Sequence, residues 1–275
     1  MVAPFFAVSA HADGALPKEL TSACGDQVKG AKKAQLIGHH ISEVVYQVWL
    51  PGGRAIASIV GGGPDDPCGG GPECKVFPVG RATSRLSGKL GANGASAKIF
   101  TLPAPTCDDD SCSTMLAMRP PDKEDQILDA LRVPDNCTPM LSSVALIKGQ
   151  DSIVLTCSMP AGAGDNELKM VLHVVDGHLM PLLTFEAGST QLASPDEKAS
   201  GACTIGPVGA VQVVKGALRV TRAPDGGQST GDGKGPACKH QKAIVQDYTW
   251  DASQKQLVPA GNGTPTIKDT CDCKR

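Results

Sequence analysis

Between Leu168 and Phe185 two apolar runs, LKMVLHVV and HLMPLLTF, are separated only by Asp176-Gly177. Asp-Gly is the two-residue loop whose left-handed backbone matches the twist of paired strands, so the runs are expected to form an antiparallel hairpin. In that register Val175 faces His178 and His173 faces Met180. The same form recurs along the chain. EVVYQVWL (43–50) alternates Val44, Tyr46, Val48 and Leu50 onto one face and Val45, Gln47 and Trp49 onto the other; it turns at Pro51-Gly52-Gly53-Arg54 into AIASIV (55–60). SVALI and SIVLTCSM, joined by KGQD, cover 143–159, and AVQVVKGALRVTR spans 210–222. AIVQDYTW, a DASQ turn and KQLVP supply a last pair, while KVFPV, SAKIF and STMLAM within 76–118 give shorter strands.

One segment departs from this pattern. Pro121-Asp122 followed by KEDQILDALRV predicts a short helix near 122–133: Asp122 can cap it, Glu124 and Asp125 favour its positive end, Ile127, Leu128 and Leu131 form a buried stripe, and Pro134 stops it. With about six hairpins and little helix between them, the expected class is all-β, mainly antiparallel hairpins or meanders arranged as a β-sandwich or propeller-like. The 32 Gly and 21 Pro suit so many turns. A division after the helix predicts a β-rich region over 13–140 and an antiparallel β region over 141–275, unless 13–275 is one domain.

The eleven cysteines are the second constraint. Residues 2–8 are apolar, and Ala10-His11-Ala12 supplies small residues at the positions a signal peptidase requires, so 1–12 reads as a signal peptide cleaved before Asp13. Export to a periplasm, cell surface or extracellular space implies disulfides rather than metal-binding thiols. Nearest-neighbour pairing predicts Cys68 with Cys74, Cys107 with Cys112, Cys137 with Cys157 and Cys203 with Cys238. Cys24 would then join Cys271 or Cys273. No run approaches the ~20 apolar residues of a membrane-spanning helix. The tail, where Cys238 precedes the strand Tyr248-Thr249-Trp250-Asp251 and a final apolar run, resembles small exported bacterial β proteins; the resemblance assigns no functional residue.

Composition narrows the function classes. Lys plus Arg number 26 against 28 for Asp plus Glu, which lacks the basic footprint of a nucleic-acid binder. Two Trp, two Tyr and five Phe leave few rings for sugar or base stacking. Among titratable residues, His39-His40 with Glu43 is the densest group, but the alternation that follows makes it the start of a strand rather than a zinc helix. His173 and His178 fall on one face of adjacent strands as diagonal neighbours ~7 Å apart, a spacing a metal could bridge, but with no third ligand nearby in the sequence the preferred reading is a cross-strand packing pair. Asp108, Asp109 and Asp110 inside CDDDSC, with Asp65-Asp66, gather oxygen ligands in loops, so calcium is the one ion to consider; neither run has the alternating order that wraps it. Searches for nucleophile-elbow, Ser-x-x-Lys, zinc-protease, P-loop and dinucleotide motifs find none in usable context. The expectation is therefore an exported, non-catalytic protein without a cofactor that binds another macromolecule, a protein or cell-envelope partner, or serves as an envelope component. The alternative is a secreted hydrolase with a scattered site.

Overall fold

The computed structural model describes residues 16–40, 43–61, 72–82, 85–104, 113–124, 126–161, 164–191, 209–222, 242–261 and 266–269. The signal-peptide segment lies outside these residues, as do Asp65-Asp66, Asp108–Asp110 and Cys68, Cys107, Cys112, Cys203, Cys238, Cys271 and Cys273. The chain is mostly antiparallel β, as its alternation and turns predict, and it divides into two compact units. The first comprises Met1–Gly91, Ser96–Asp135 and Asp176–Leu179; the second comprises Ala92–Ala95, Asn136–Val175 and Met180–Arg275.

In the first unit a helix, α1 (Lys18–Cys24), precedes β1 (Lys33–His40), β2 (Glu43–Leu50), β3 (Gly53–Val60) and β4 (Glu73–Pro78), which pair in that order. A second sheet contains β5 (Arg85–Gly88), β6 (Ala97–Pro103), β7 (Thr114–Arg119) and β8 (Asp129–Arg132), again in chain order. The two faces of β2 divide as its alternation predicts. Val45 joins Ile37, Ile56, Phe77, Phe100, Leu102 and Met115 in the core shared by the two sheets. Tyr46 and Val48, flanked by Val44 and Leu50, face Leu20, Cys24 and Val28 of the N-terminal helical segment. Tyr46 Oη also donates a hydrogen bond to Glu19 Oε1 on α1.

The second unit holds β9 (Thr138–Ile147), β10 (Gln150–Ala161), β11 (Gly164–Val175) and, from Met180 onward, β12 (His178–Gln191). Its other sheet contains β13 (Ala210–Val214), β14 (Ala217–Arg222), β15 (Lys242–Asp251) and β16 (Gln256–Pro259), with β17 (Thr266–Asp269) beside β15. Leu146, Val171, Phe185, Ala187, Leu218 and Val220 make the core between them. Asp176 and Gly177 have φ of 53° and 91°, so the predicted two-residue turn joins β11 to β12. Lys215 and Gly216, at 52° and 80°, make the same kind of turn between β13 and β14.

Two expectations are corrected. The α-helix among the described residues is Lys18–Cys24, whereas the segment expected to be helical ends in strand β8. Pairing of Leu131 with Leu116 and Ala130 with Ala117 satisfies the backbone across the sheet, and this outweighs local helix propensity. The disulfide of Cys74 is to Cys24, at a Cα separation of 5.0 Å, not to Cys68, and Cys24 is therefore not tied to Cys271 or Cys273. Cys74 lies on β4, and its side chain packs among the residues that α1 covers, so burial of the helix brings Cys24 to it. Cys137–Cys157 forms as expected across the β9–β10 pair, at a Cα separation of 4.8 Å.

Candidate functional site

The polar residues of the first unit form a buried charge cluster, an ion network and an open groove. The charge cluster centres on Asp129, which starts β8 and has no solvent exposure. Its Oδ2 accepts the Leu179 N–H at 2.6 Å and lies 3.7 Å from His178 Nδ1. Its Oδ1 lies 3.5 Å from His40 Nε2. That nitrogen is 2.8 Å from the Ala130 carbonyl, which can only accept, so Nε2 carries a proton aimed at the carbonyl. Asp129 Oδ1 thus has an ion-pair contact and no hydrogen bond.

A slip in register between Leu36 and Gly38 brings this end of β1 close to β8. A Cβ on Gly38 would collide with Asp129 Oδ1 and lie 3.1 Å from His40 Nε2, so the approach requires glycine. Burial opposes the charge on Asp129, but His178, His40 and the Leu179 N–H outweigh it and hold the carboxyl below its usual range. Burial likewise opposes protonation of His40, and Asp129, the Ala130 carbonyl and Glu43 overcome it, raising its pKa. Asp129 raises that of His178 directly; burial and His40 oppose the rise, and Asp176 adds to it.

These directions predict a bounded pH window. The two imidazoles stabilise the fold fully below their unfolded pKa of 6.5, and that contribution is lost as pH rises through their raised folded values. The carboxylate contributes above its unfolded 3.8 and loses its contribution as pH falls through its lowered folded value. The difference in urea midpoint between wild type and Asp129→Asn should therefore be greatest between about pH 4 and 6.5 and shrink on either side. A difference that stays flat from pH 3 to 9 would contradict the arrangement. The Leu179 N–H and His178 contacts of Asp129 tie the Asp176–Leu179 segment to β8.

The ion network lies where β4 approaches β8. Lys75 Nζ donates to Ser113 Oγ at 2.6 Å, and Ser113 donates to Asp135 Oδ1 at 2.5 Å. Arg132 bridges Glu73 and Asp135. Its neighbour Lys75 holds Glu73 below the ordinary carboxylate range. Burial opposes the same shift at Asp135, where Ser113 and Arg132 prevail. A Ser–Lys pair of this length invites a nucleophilic reading, but Lys75 is flanked by Glu73 at 3.0 Å and Asp135 at 3.9 Å, and Ser113 is buried.

The groove, about 650 Å³ in volume, is lined by Gln35, Gln47, Trp49, Asp122, Lys123, Glu124 and Gln126. Gln35 and Gln47 are cross-strand partners on β1 and β2, as are Lys33 and Trp49. The Lys33 ammonium lies 4.8 Å from the Trp49 ring centroid. The opposite wall is pinned to the sheet: Ile127 N–H donates to Gln47 Oε1 at 3.3 Å, and Arg54 donates to the Glu124 carbonyl at 3.1 Å.

Of the two histidines whose spacing could admit a metal, His178 contacts Asp129, whereas His173 is buried in the second unit, 2.9 Å from Ser152 Oγ with its ring 5.3 Å from that of Trp250. Burial pushes the His173 pKa down to about 4, so it is neutral near pH 7. With Ser152 and His173 both buried, this Ser–His pair is closed to a substrate. Among the described residues no three His, Cys, Asp or Glu converge as metal ligands. The sequence reading missed Asp129, Gly38 and the role of His40. One signal was present, an aspartate inside the apolar run ILDALRV. No known protein family matches the chain, and no curated protein matches it.

Proposed function

We propose that this chain is an exported, non-catalytic binding protein whose first unit receives part of a cell-envelope macromolecule in the groove beside Trp49. The groove carries this reading. It is open and lies within the ~300–1,000 Å³ range of ligand sites. It joins one aromatic surface to several hydrogen-bonding side chains. Two further observations support it. The disulfides suit an oxidising compartment. In the two serine pairs that resemble catalytic dyads, Ser113–Lys75 and Ser152–His173, the serine is buried.

Co-sedimentation with insoluble cell-envelope material tests the proposal. Wild type should pellet saturably, and Trp49→Ala should weaken binding by roughly tenfold, as for an aromatic side chain central to an interface. Equal sedimentation of wild type and a correctly folded Trp49→Ala protein would reject the groove as the binding surface.

A further inference from the structure

We infer that the groove of the first unit is a saccharide site, formed by Trp49 and the Gln35–Gln47 pair on one wall and by Asp122, Lys123 and Gln126 on the other, and that its ligand is a neutral oligosaccharide. The inference rests on the binding reading above and specifies its ligand. Composition alone counts against sugar stacking because rings are scarce, yet the fold places one of the two tryptophans in the groove. One indole can serve one sugar ring: Lys33 lies over the Trp49 ring at 4.8 Å, and the indole surface that lines the groove meets the C–H face of a pyranose while neighbouring groups bind the hydroxyls.

The rest of the lining favours hydroxyls over other ligands. A glutamine amide both donates and accepts, as a hydroxyl does, and Gln35 and Gln126 supply two amides to the groove, while the buried Gln47 amide accepts the Ile127 N–H. Asp122 adds an acceptor and Lys123 a donor. Charge at the groove is close to balanced, with Asp122 and Glu124 in the lining against Lys123 there and Lys33 beside Trp49, so a polyanion gains no net attraction. Strongly cationic ligands are disfavoured too, since Lys33 lies over Trp49 and Glu124 is paired with Arg119 at 3.6 Å. An apolar peptide would need pockets for its side chains, whereas the lining is polar apart from Trp49. The hydrogen bonds from Ile127 and Arg54 hold the far wall in place before binding, which reduces the ordering cost.

Calorimetry with maltotetraose, cellotetraose and chitotetraose tests the inference, with tetragalacturonate and heptalysine as charged comparisons. At least one neutral tetrasaccharide should bind saturably, and Trp49→Ala should weaken it by roughly tenfold or more. Lys123→Ala and Gln126→Ala change exposed residues and should each weaken it several-fold, so the test survives if Trp49→Ala fails to fold. Trp250→Phe leaves Trp49 as the remaining indole, and its fluorescence should respond to the same sugar.

Three results would overturn the inference: no binding of any neutral tetrasaccharide, unchanged affinity in all three groove variants, or binding of only a charged probe. If any of these occurs while envelope sedimentation still depends on Trp49, the binding proposal stands and the saccharide assignment falls. If sedimentation is also insensitive to Trp49, both fall.

Discussion

Replacing Asp129 with alanine should lower the free energy of unfolding by about 3–5 kcal/mol, the range for removing one partner from a buried charge pair. The carboxylate has no solvent exposure, accepts the Leu179 N–H and lies between His40 and His178. Alanine removes the anion and leaves the Leu179 donor and the His40 ring facing an apolar methyl. Because the His178 side chain is 41% exposed, water can replace its lost partner, and most of the cost falls on the buried side of the cluster. Urea unfolding monitored by circular dichroism checks the value. A loss below about 1 kcal/mol, within the range of an exposed pair, would refute a buried ionic cluster at this position.

The second large effect is expected from removal of the Cys24–Cys74 disulfide in a double Cys→Ala protein. The bridge spans a sequence separation of 50 residues, for which loop-closure entropy gives about 4 kcal/mol of stabilisation. Cys137–Cys157, with a separation of 20, corresponds to about 3 kcal/mol. Removing the first bridge should also loosen α1, whose Leu20 and Cys24 pack on the outer face of the first sheet. Faster amide exchange in Lys18–Cys24 would accompany the lower urea midpoint. Peptide mapping without reductant should recover Cys24 linked to Cys74; recovery of Cys68 linked to Cys74 would refute the pairing and the helix placement together.

The disulfide also shows where reading along the chain fails. Nearest-neighbour pairing found Cys137–Cys157 because the two residues lie on a local hairpin, where sequence distance and spatial distance run together. It missed Cys24–Cys74 because a helix had to pack across a sheet before those thiols could meet. The same distinction explains β8. Residues 126–132 carry a helical apolar spacing, but from Asp129 to Arg132 the backbone pairs with β7, and Asp129 meets His40 from β1 and His178 at the start of β12. The groove has this non-local origin as well, since its two walls are the β1–β2 pair and a loop more than seventy residues further along, held by the Ile127–Gln47 and Arg54–Glu124 hydrogen bonds.

What the residues determined by themselves was the antiparallel β class and its hairpins: the Asp176-Gly177 turn, the hairpin over 210–222 and the two faces of β2 follow from backbone sterics and period-two alternation, which act between near neighbours. Tertiary structure alone decided the partner of Cys24, the strand at Asp129 and the surroundings of Trp49. Each depends on burial and pairing between segments far apart in the chain, and those interactions exceed the local preferences from which a sequence is read.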